Sequence, residues 1–474
     1  MYDIIIIGCG SGGLSIGLFM QRAGFKVLMV SKTDKDIGGE CLNDGCVPSK
    51  ALIHTSRLAH NAKLAGELGL QVSGKVDIKK VISYVYSKQQ VIRDHENAAW
   101  LTAQGIDVAL GEASFCGRKE IEVNGKKYSA KKIIIATGSK PKKLAVPGVE
   151  KVSYFDNENI FHIDELPDRL LVIGSGPIGI EIAQVFNRLG SKVTVIEEGS
   201  RILVHDDESL AAILLQQLQQ EGIDFHFNIS IENFVSKTEA VAKPKNGTAL
   251  TLNFDAVFVG IGRQLVLEPL QLQKAGIEIK DHKIVADKKL RTSNKDIFVC
   301  GDVAGDLQFS HAAEFHARII LNNLFSPLKK KLQNNYMSWV TFTDPELATF
   351  GLSEKQLMQS HIKYKKLEQS FHEDDRAIVD NYQYAKLILF ISEKRFLRKQ
   401  KILGGSMIAP NAGELIQELI LAMANKISIN AIFNKIYPYP VASRINQKII
   451  LQMKQEELTP FIKKLLQTVY KIFS

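Results

Sequence analysis

The sequence has few of the features that mark secreted or disordered proteins. Its 474 residues include only five cysteines and 13 prolines, and its formal net charge is +9. Five cysteines are too few, and odd in number, for a disulfide scaffold, so we expect a reducing, cytoplasmic location. With 45% hydrophobic and 23% charged residues, the chain can form full-sized cores. The mild positive charge gives no indication of nucleic-acid binding.

Long apolar segments are also missing. No run reaches the roughly 18 apolar residues that a membrane span needs. Leu415 to Ala424 comes closest, and Gln417 and Glu418 interrupt it. The first residues lack a basic region followed by a long apolar stretch, so no signal peptide is expected. At ~150 residues per domain, the length predicts about three domains.

Two stretches share the order strand, glycine-rich turn, helix, glycine, strand. The first opens with the β-branched run Ile4–Ile7, and the second opens at Leu170. In a GxGxxG turn the first glycine permits the tight turn, the second admits a pyrophosphate, and the third lets helix and strand pack. Incidental glycines in two doubly wound cores are the alternative, and the agreement of all the elements argues against it. The two predicted dinucleotide turns contain Gly8, Gly10 and Gly13, and Gly174, Gly176 and Gly179.

The residue that ends the second strand of each pattern predicts the cofactor. In the second pattern it is Glu197, and an acid there usually binds the adenosine ribose hydroxyls. A carboxylate would repel a 2′-phosphate, so NAD(H) is favoured, while the nearby Arg201 leaves NADP(H) as an alternative. In the first pattern the position holds Ser31, which can still bind a ribose through its hydroxyl.

The pattern of apolar and polar residues changes after about residue 335. Before that point, further buried-strand patterns end in Thr137-Gly138, Gly262-Arg263 and Gly301-Asp302, the kind of strand end where open α/β sheets bind ligands. After it, alternating stretches such as 385–391 and 402–408 suggest antiparallel strands, with apolar helices following. The predicted fold class is therefore α/β, with two doubly wound, Rossmann-like dinucleotide-binding domains plus a C-terminal α+β domain.

One segment, GGECLNDGCVPSK at 38–50, carries a close pair of cysteines. Cys41 and Cys46 follow a dinucleotide turn within one domain. In a reducing compartment such a pair is more often catalytic than structural. A metal site would need further Cys or His ligands, and none appears before His54, so no metal is expected. A cation close by, such as Lys50, would help to keep Cys46 ionised.

This segment resembles the redox-active disulfide of the class I pyridine nucleotide-disulfide oxidoreductases, FAD enzymes that include dihydrolipoamide dehydrogenase, glutathione reductase and mercuric reductase. The resemblance covers nearly the whole chain, including the segments 133–139, 260–263, 292–303 and 341–354. It implies an FAD-binding domain at 1–145 and 265–330, an NAD(P)-binding domain at 146–264, and a dimerisation domain at 335–474 that makes the protein a homodimer.

The resemblance also implies roles for individual residues. Cys41 would be the interchange thiol that meets the substrate, and Cys46 the thiol nearest the flavin. Lys50 would lie beside the flavin and pair with Glu181. Asp302 would hydrogen-bond the flavin's ribityl chain. The other cofactor-binding residues expected are Gly39, Gly111, Ala113, Thr137, Gly138, Gly262, Arg263, Gly301, Ser310 and His311.

The sequence departs from the family near its C-terminus. Thiol-disulfide reductases of the family carry a His and a Glu that act as acid and base across the dimer. Here Tyr439 and Arg444 fall at those positions. A tyrosine of pKa about 10 is a poor base, so acid–base help of about 10²–10⁴-fold would be missing. Mercuric reductase has a tyrosine there too, but it retains the Glu and carries C-terminal cysteines that this sequence lacks.

The expected function is that of an FAD-dependent NAD(P)H oxidoreductase. Electrons would pass through the flavin to a Cys41–Cys46 disulfide and on to a small-molecule or protein disulfide, or to a thiol-bound metal. One alternative is a flavin diaphorase, NADH oxidase or transhydrogenase that does not use the cysteines. Another is a slow-cycling FAD redox sensor or partner protein. Leu458 to Phe473 predicts an amphipathic helix, for which docking on its own domain or on the dimer is favoured over a membrane surface.

Overall fold

The computed structural model describes residues 1–394 and 399–474. By its contacts the chain divides into two compact units. The first comprises Met1–Ser200 and Gly222–Gln333, and the second comprises Arg201–Glu221 and Asn334–Ser474. In the part of the chain that is described, no helix is long and apolar enough to cross a membrane.

The first unit contains both dinucleotide-binding patterns. Its strands are β1 (Tyr2–Ile7), β2 (Val27–Ser31), β3 (Asp107–Leu110), β4 (Ala113–Gly117), β5 (Glu120–Val123), β6 (Lys126–Ile135), β7 (Lys140–Pro141), β8 (Arg169–Ile173), β9 (Lys192–Glu197), β10 (Asp224–Phe227), β11 (Ile229–Phe234), β12 (Glu239–Pro244), β13 (Leu250–Asn253), β14 (Ala256–Val259), β15 (Arg263–Gln264), β16 (Ile279–Lys280), β17 (Lys283–Ile284) and β18 (Ile297–Val299).

Helices follow the strands in the way that βαβ units require. Those of the first unit are α1 (Ser11–Arg22), α2 (Gly39–Asn43), α3 (Cys46–Leu64), α4 (Ile78–Arg93), α5 (Ala98–Ala103) and α6 (Pro177–Leu189); α7 (Glu208–Gln220) belongs to the second unit, and α8 (Ser310–Phe325) to the first.

A seven-stranded sheet forms the half of the first unit that contains the first glycine-rich turn. Strands β3, β2, β1, β6 and β18 pair in parallel in that order, and β5 and β4 continue from β6 as an antiparallel extension. The isoleucines of Ile4–Ile7 are at most 4% exposed, which is the burial expected of a strand covered on both faces. Because the ends of β1, β2 and β6 coincide, the turns that follow them lie at one edge of the sheet.

A four-stranded parallel sheet, in the order β10, β9, β8, β14, forms the second dinucleotide-type core. Strands β11, β12 and β13 make a small antiparallel sheet, and the pairs β7 with β15 and β16 with β17 are short antiparallel ladders. Helix α6 packs against β8 and β9, and against α3. This packing brings the second core next to the cysteine-bearing helices.

The second unit is built on a five-stranded antiparallel sheet in the order β19, β20, β23, β22, β21. Helix α7 packs against β20 and β23 of this sheet. The elements are β19 (Ser338–Thr341), β20 (Glu346–Gly351), α9 (Glu354–Gln359), β21 (Tyr364–Ser370), α10 (Asp375–Val379), β22 (Lys386–Ser392), β23 (Ile402–Ala409), α11 (Ala412–Leu415), α12 (Gln417–Ala424), α13 (Ile429–Asn434), α14 (Ile445–Glu456) and α15 (Pro460–Phe473).

The α/β fold class is confirmed, with parallel sheets in the first unit and an antiparallel sheet with helices in the second. The apolar run after residue 412 forms two helices, α11 and α12, that meet at Ile416, in line with the apolar helices expected after the antiparallel strands. The two predicted dinucleotide-binding segments share one compact unit, and Arg201–Glu221 groups with the C-terminal segment. The three domain boundaries given above therefore stay predictions.

Candidate active site

A glycine-rich turn leads into each of the helices α1 and α6. Gly8 has φ +105°, and a Cβ there would lie 2.3 Å from the carbonyl oxygen of Ala136, so the turn requires glycine. A Cβ on Gly176 would meet nothing within 4 Å, which leaves open space before α6. The N-cap residue of each helix is a glycine, Gly10 or Gly176, which has no side chain to cap the first N–H groups. The first N–H groups and the positive dipole ends therefore fit the pyrophosphates of two dinucleotides.

The Glu197 carboxylate is fixed at the second turn. It accepts hydrogen bonds from the Ser175 backbone N–H at 2.8 Å, from the Ser175 hydroxyl at 2.7 Å and from the Gly199 N–H at 2.7 Å. At the first turn, Ser31 is buried and its hydroxyl donates to the Thr33 carbonyl at 2.9 Å. At the position expected for the ribose, the second turn therefore has a fixed carboxylate and the first turn has a neutral serine.

Cys41 lies on the short helix α2, and Cys46 lies on the long helix α3 that follows it. Cys46 is the first residue of α3, and its Sγ lies 3.4 Å from the Ser310 Oγ. The Cys41 thiol donates a hydrogen bond to Cys46. This bond, the Ser310 hydroxyl and the Lys50 charge lower the pKa of Cys46 to about 6. The same bond, together with burial, raises the pKa of Cys41. One sulfur is therefore held as a thiolate and the other as a thiol.

Lys50 and Glu181 form the pair that the family resemblance implied. The Lys50 ammonium donates to Glu181 Oε2 at 2.8 Å. The Glu181 side chain is 7% exposed and that of Lys50 is 36% exposed. Lys50 lies one helical turn after Cys46 on α3, so both side chains are on the same face. The pair joins α3 to α6, and places a cation beside the Cys46 sulfur.

The reactivity of Cys46 should therefore change at an unusually low pH. Alkylation of the fully reduced protein by iodoacetamide, followed at the Cys46 peptide by mass spectrometry, should rise as the pH increases through about 6 and then level off. In a Cys41→Ala variant the midpoint should move up toward the ordinary cysteine value of about 8.5. A midpoint near 8.5 in the unmodified protein would contradict this assignment.

The buried cysteines behave differently. Cys9 and Cys300 are buried, and burial raises the pKa of each thiol to about 12. Their sulfurs donate to the carbonyl oxygens of Val30 and Ala313. Both are therefore unreactive, and Cys46 is the thiol expected to be labelled first.

Asp302 lies in a 3₁₀ turn, Gly301–Ala304, that follows β18. It accepts a hydrogen bond from the Ser139 hydroxyl at 2.6 Å. The Gly301 N–H donates to Nδ1 of His316 at 3.2 Å, and burial lowers the pKa of this histidine. His316 is therefore a neutral acceptor that fixes the turn carrying Asp302, a role that the sequence did not suggest.

An ion pair between Glu40 and Arg263 was not anticipated. Glu40 precedes Cys41 in the cysteine segment, and Arg263 begins β15. The guanidinium donates to both carboxylate oxygens of Glu40, at 2.6 Å for the Nη1–Oε1 contact. Its Nε also donates to the Ser139 hydroxyl at 2.7 Å and lies 3.7 Å from Asp302. Arg263 thus links the cysteine segment to the Asp302 turn.

Burial determines how the Glu40 carboxylate behaves. Burial raises the pKa of Glu40, while the charge and hydrogen bonds of Arg263 act in the opposite direction. A further hydrogen bond to Glu40 comes from the Asn157 amide at 2.9 Å. The only sequence signal was the position of Glu40 inside the cysteine segment, since the arginine lies far away in the chain.

Several other predicted cofactor residues adjoin the turns and contacts described above. Gly111 donates its N–H to the Ser31 carbonyl at 2.8 Å, and Ala113 begins β4. Gly39 approaches the first turn, because a Cβ on it would lie 2.6 Å from the Gly10 Cα. Thr137, Gly138 and Gly262 adjoin the Ser139–Arg263 contact in the chain, and His311 stacks on Phe309 with ring centroids 5.2 Å apart. The cofactor roles of these residues stay predictions.

Tyr439 belongs to the second unit, where its side chain is 66% exposed. Its hydroxyl donates to Asp375 Oδ2 at 3.0 Å, and this bond raises the pKa of Tyr439. The Arg444 guanidinium lies over the ring, 5.6 Å from its centroid. The phenol is therefore held in its protonated form, able to donate a hydrogen bond but not to act as a base at neutral pH. Within the described residues, no cluster of three or more His, Cys, Asp or Glu could hold a metal ion.

Comparison with known proteins accounts for this arrangement. Residues 2–317 match the family described as pyridine nucleotide-disulphide oxidoreductase, and residues 337–449 match its dimerisation domain. The chain belongs to the pyridine nucleotide-disulphide oxidoreductase family. The resemblance predicted from the cysteine segment is thereby confirmed.

Individual members of the family are similar over almost the whole chain. A mercuric reductase of Lysinibacillus sphaericus is 31% identical over 442 residues, which cover 92% of this chain and 80% of the relative. A dihydrolipoyl dehydrogenase of Thermus scotoductus is 31% identical over 451 residues, covering 93% and 95%. The structure of the HOCl-induced flavoprotein disulfide reductase RclA from Escherichia coli superposes with a TM-score of 0.82 at 26% identity, covering 94% of this chain and 99% of that one.

As a pyridine nucleotide-disulphide oxidoreductase, the chain is an FAD-dependent enzyme that uses NAD(P)H. The residues on each turn fit these two groups, as the open space at Gly176 and the uncapped helix starts show. The first turn, with Asp302, would hold FAD. The second turn, with Glu197, would hold the nicotinamide dinucleotide.

Proposed function

We propose that this enzyme passes electrons through its flavin to a Cys41–Cys46 disulfide, and from there to a disulfide or a thiol-bound metal. One observation carries the proposal. The Cys41 thiol on α2 interacts with the Cys46 sulfur at the start of α3, one helical turn from the Lys50 that pairs with Glu181. A pair of idle structural thiols would have no need of a neighbouring cation or of a lowered pKa.

The cofactors supply the electron chemistry: NAD(P)H provides a hydride, and FAD accepts it as two electrons. The protein's part is to control thiol ionisation. Lys50, Ser310 and the Cys41 thiol stabilise the Cys46 thiolate. Glu181 keeps Lys50 in place through the 2.8 Å contact.

Cys41 must lose its proton before it can attack, and its raised pKa makes this step unfavourable without an imidazole. Once that proton has passed to solvent, the Cys41 thiolate attacks one sulfur of a substrate disulfide, and the first leaving thiolate takes a proton from solvent. The Cys46 thiolate next attacks Cys41 in the mixed disulfide, re-forming the Cys41–Cys46 bond. The second thiolate is released and protonated by solvent, while Tyr439 of the partner subunit can donate a hydrogen bond to it. Two electrons and two protons reach the substrate.

Tyr439 and Arg444 favour substrates that need little help from a base. A soft metal ion is bound by thiolates directly and requires no imidazole. Relatives carry the name mercuric reductase, and one solved RclA structure is described as a Cu(II) complex. Hg(II) and Cu(II) held by thiols are therefore the first substrates to test, followed by lipoamide, glutathione disulfide and quinones. NADH is the preferred donor, because the Glu197 carboxylate would repel a 2′-phosphate.

Anaerobic titration with NADH tests the proposal. The protein should take up four electrons per flavin, two in the flavin and two in the disulfide, and should develop a long-wavelength thiolate–flavin band at the two-electron stage. A Cys41→Ser/Cys46→Ser double variant should take up only two. Uptake of two electrons by the unmodified protein would instead support a diaphorase, oxidase or transhydrogenase. Turnover well below about 1 s⁻¹ with every acceptor would point to a redox sensor.

A further inference from the structure

The last helix of the chain, α15, buries none of its side chains within the described residues. Of its residues, only Ile462 is half-buried. Phe461 is 76% exposed and Phe473 86%. The preceding helix α14, by contrast, buries Ile445, Ile449 and Met453. The sequence favoured docking on its own domain or on the dimer, and the structure does not have the first of these.

The two faces of α15 are sharply divided. At about 3.6 residues per turn, every large apolar side chain falls on one half of the helix and every polar one on the other. The polar face is cationic, because residues 458–474 contain three lysines and no Asp or Glu. The apolar half carries Phe461, Ile462, Leu465, Leu466, Val469, Tyr470, Ile472 and Phe473, and the polar half Lys463, Lys464, Gln467, Thr468 and Lys471.

We infer that α15 binds an anionic lipid surface, lying flat with its apolar half in the headgroup–acyl boundary. Exposed aromatic and aliphatic side chains opposite lysines are the pattern of an interfacial helix. With 14 residues the helix is about 21 Å long, too short to span a bilayer core of about 30 Å. It therefore lies on the membrane and does not cross it.

The charges favour lipid over a second copy of this chain as the occupant. Lys463 lies beside Tyr470 and Lys464 beside Phe461, so the lysines line both borders of the apolar half. Two copies of α15 packed through that half would bring these lysines together with no acidic residue on either helix to pair with them. Anionic headgroups neutralise the same lysines. The net charge of +9 on the whole chain acts in the same direction.

Vesicle co-sedimentation of the full-length, flavin-loaded protein tests the inference. Binding is expected to vesicles of phosphatidylglycerol and phosphatidylcholine, and to weaken as salt screens the lysines. Vesicles of phosphatidylcholine alone should bind far less. Replacing Lys463, Lys464 and Lys471 together by Gln should weaken binding to the anionic vesicles roughly a hundredfold.

A matched pair of variants isolates the apolar face. Leu465→Glu and Gln467→Glu add the same charge two residues apart, the first on the apolar half and the second on the polar half. Leu465→Glu should weaken vesicle binding at least about tenfold more than Gln467→Glu. Flavin content should be unchanged in both, which shows that the fold is retained.

Three outcomes would overturn the inference. They are no binding to anionic vesicles, equal loss of binding in the two matched variants, and a smaller oligomer for Leu465→Glu than for Gln467→Glu by light scattering. The last would show that a second copy of the chain covers α15. None of these readouts depends on the substrate of the enzyme, so the outcome is independent of the proposed cysteine chemistry.

Discussion

The Cys41→Ser variant should lose reduction of disulfide or thiol-bound metal substrates by about 10³-fold or more, while NADH still reduces its flavin at an unchanged rate. The expected loss is large because a serine hydroxyl cannot be exchanged with a substrate sulfur. Flavin reduction precedes the disulfide step and needs only the two dinucleotide sites. Stopped-flow absorbance of the flavin and steady-state turnover measure the two halves separately.

Cys116→Ser is the matched control. Cys116 is half-buried in β4, in the antiparallel extension of the first sheet, and takes no part in the proposed relay. The Cys116→Ser variant should retain both half-reactions, flavin reduction by NADH and reduction of the substrate. A Cys41→Ser variant that kept a tenth or more of its turnover would exclude the cysteine route and leave the diaphorase alternative. Loss of flavin reduction as well would indicate damage to the fold.

Replacing Arg263 by Met should lower the stability of the protein, because it removes the guanidinium that pairs with the Glu40 carboxylate. In Arg263→Met, the Glu40 carboxylate and the Asp302 carboxylate would face each other without a cation. We expect the free energy of unfolding to fall by about 2–3 kcal/mol, less than the ~3–5 kcal/mol of a fully buried pair because Glu40 is a third exposed. Urea unfolding, followed by circular dichroism and by release of the flavin, measures the effect.

The double variant Glu40→Gln/Arg263→Met separates a lost attraction from an unpaired charge. It should recover most of the stability, because the carboxylate left unpaired is itself removed. Arg169→Met, which breaks an exposed pair with Asp255, should have little effect. A double variant as unstable as Arg263→Met would mean that the arginine acts through its other partners.

Sequence patterns predicted the structure correctly where it depends on residues that are close together in the chain. The run Ile4–Ile7 was identified as a buried strand and forms the last four residues of β1, since it is a β-branched run followed directly by glycine. The glycine turns were found because their spacing is local and each glycine has a separate steric reason.

The candidate site was less accessible from sequence, because its contacts join distant segments. The Lys50–Glu181 pair came from family resemblance, and spacing alone would not have suggested it. Glu40 and Arg263 are 223 positions apart, and no periodicity relates them. The role of His316 was equally hidden, since a lone histidine within a helix usually packs without function. Only the fold brings these side chains together.

The second unit is formed by two separate segments of the chain, which affects how it could be produced alone. Its sheet is covered in part by α7, a helix encoded far upstream of the other elements. Asp206, just before α7, accepts hydrogen bonds from the Trp339 indole and the Thr349 hydroxyl, both at 2.8 Å. A fragment that starts near residue 334 would lack α7, and would lack the Asp206 carboxylate that accepts both hydrogen bonds. Excision of this unit therefore requires a redesigned gene in which 201–221 is fused to the C-terminal segment.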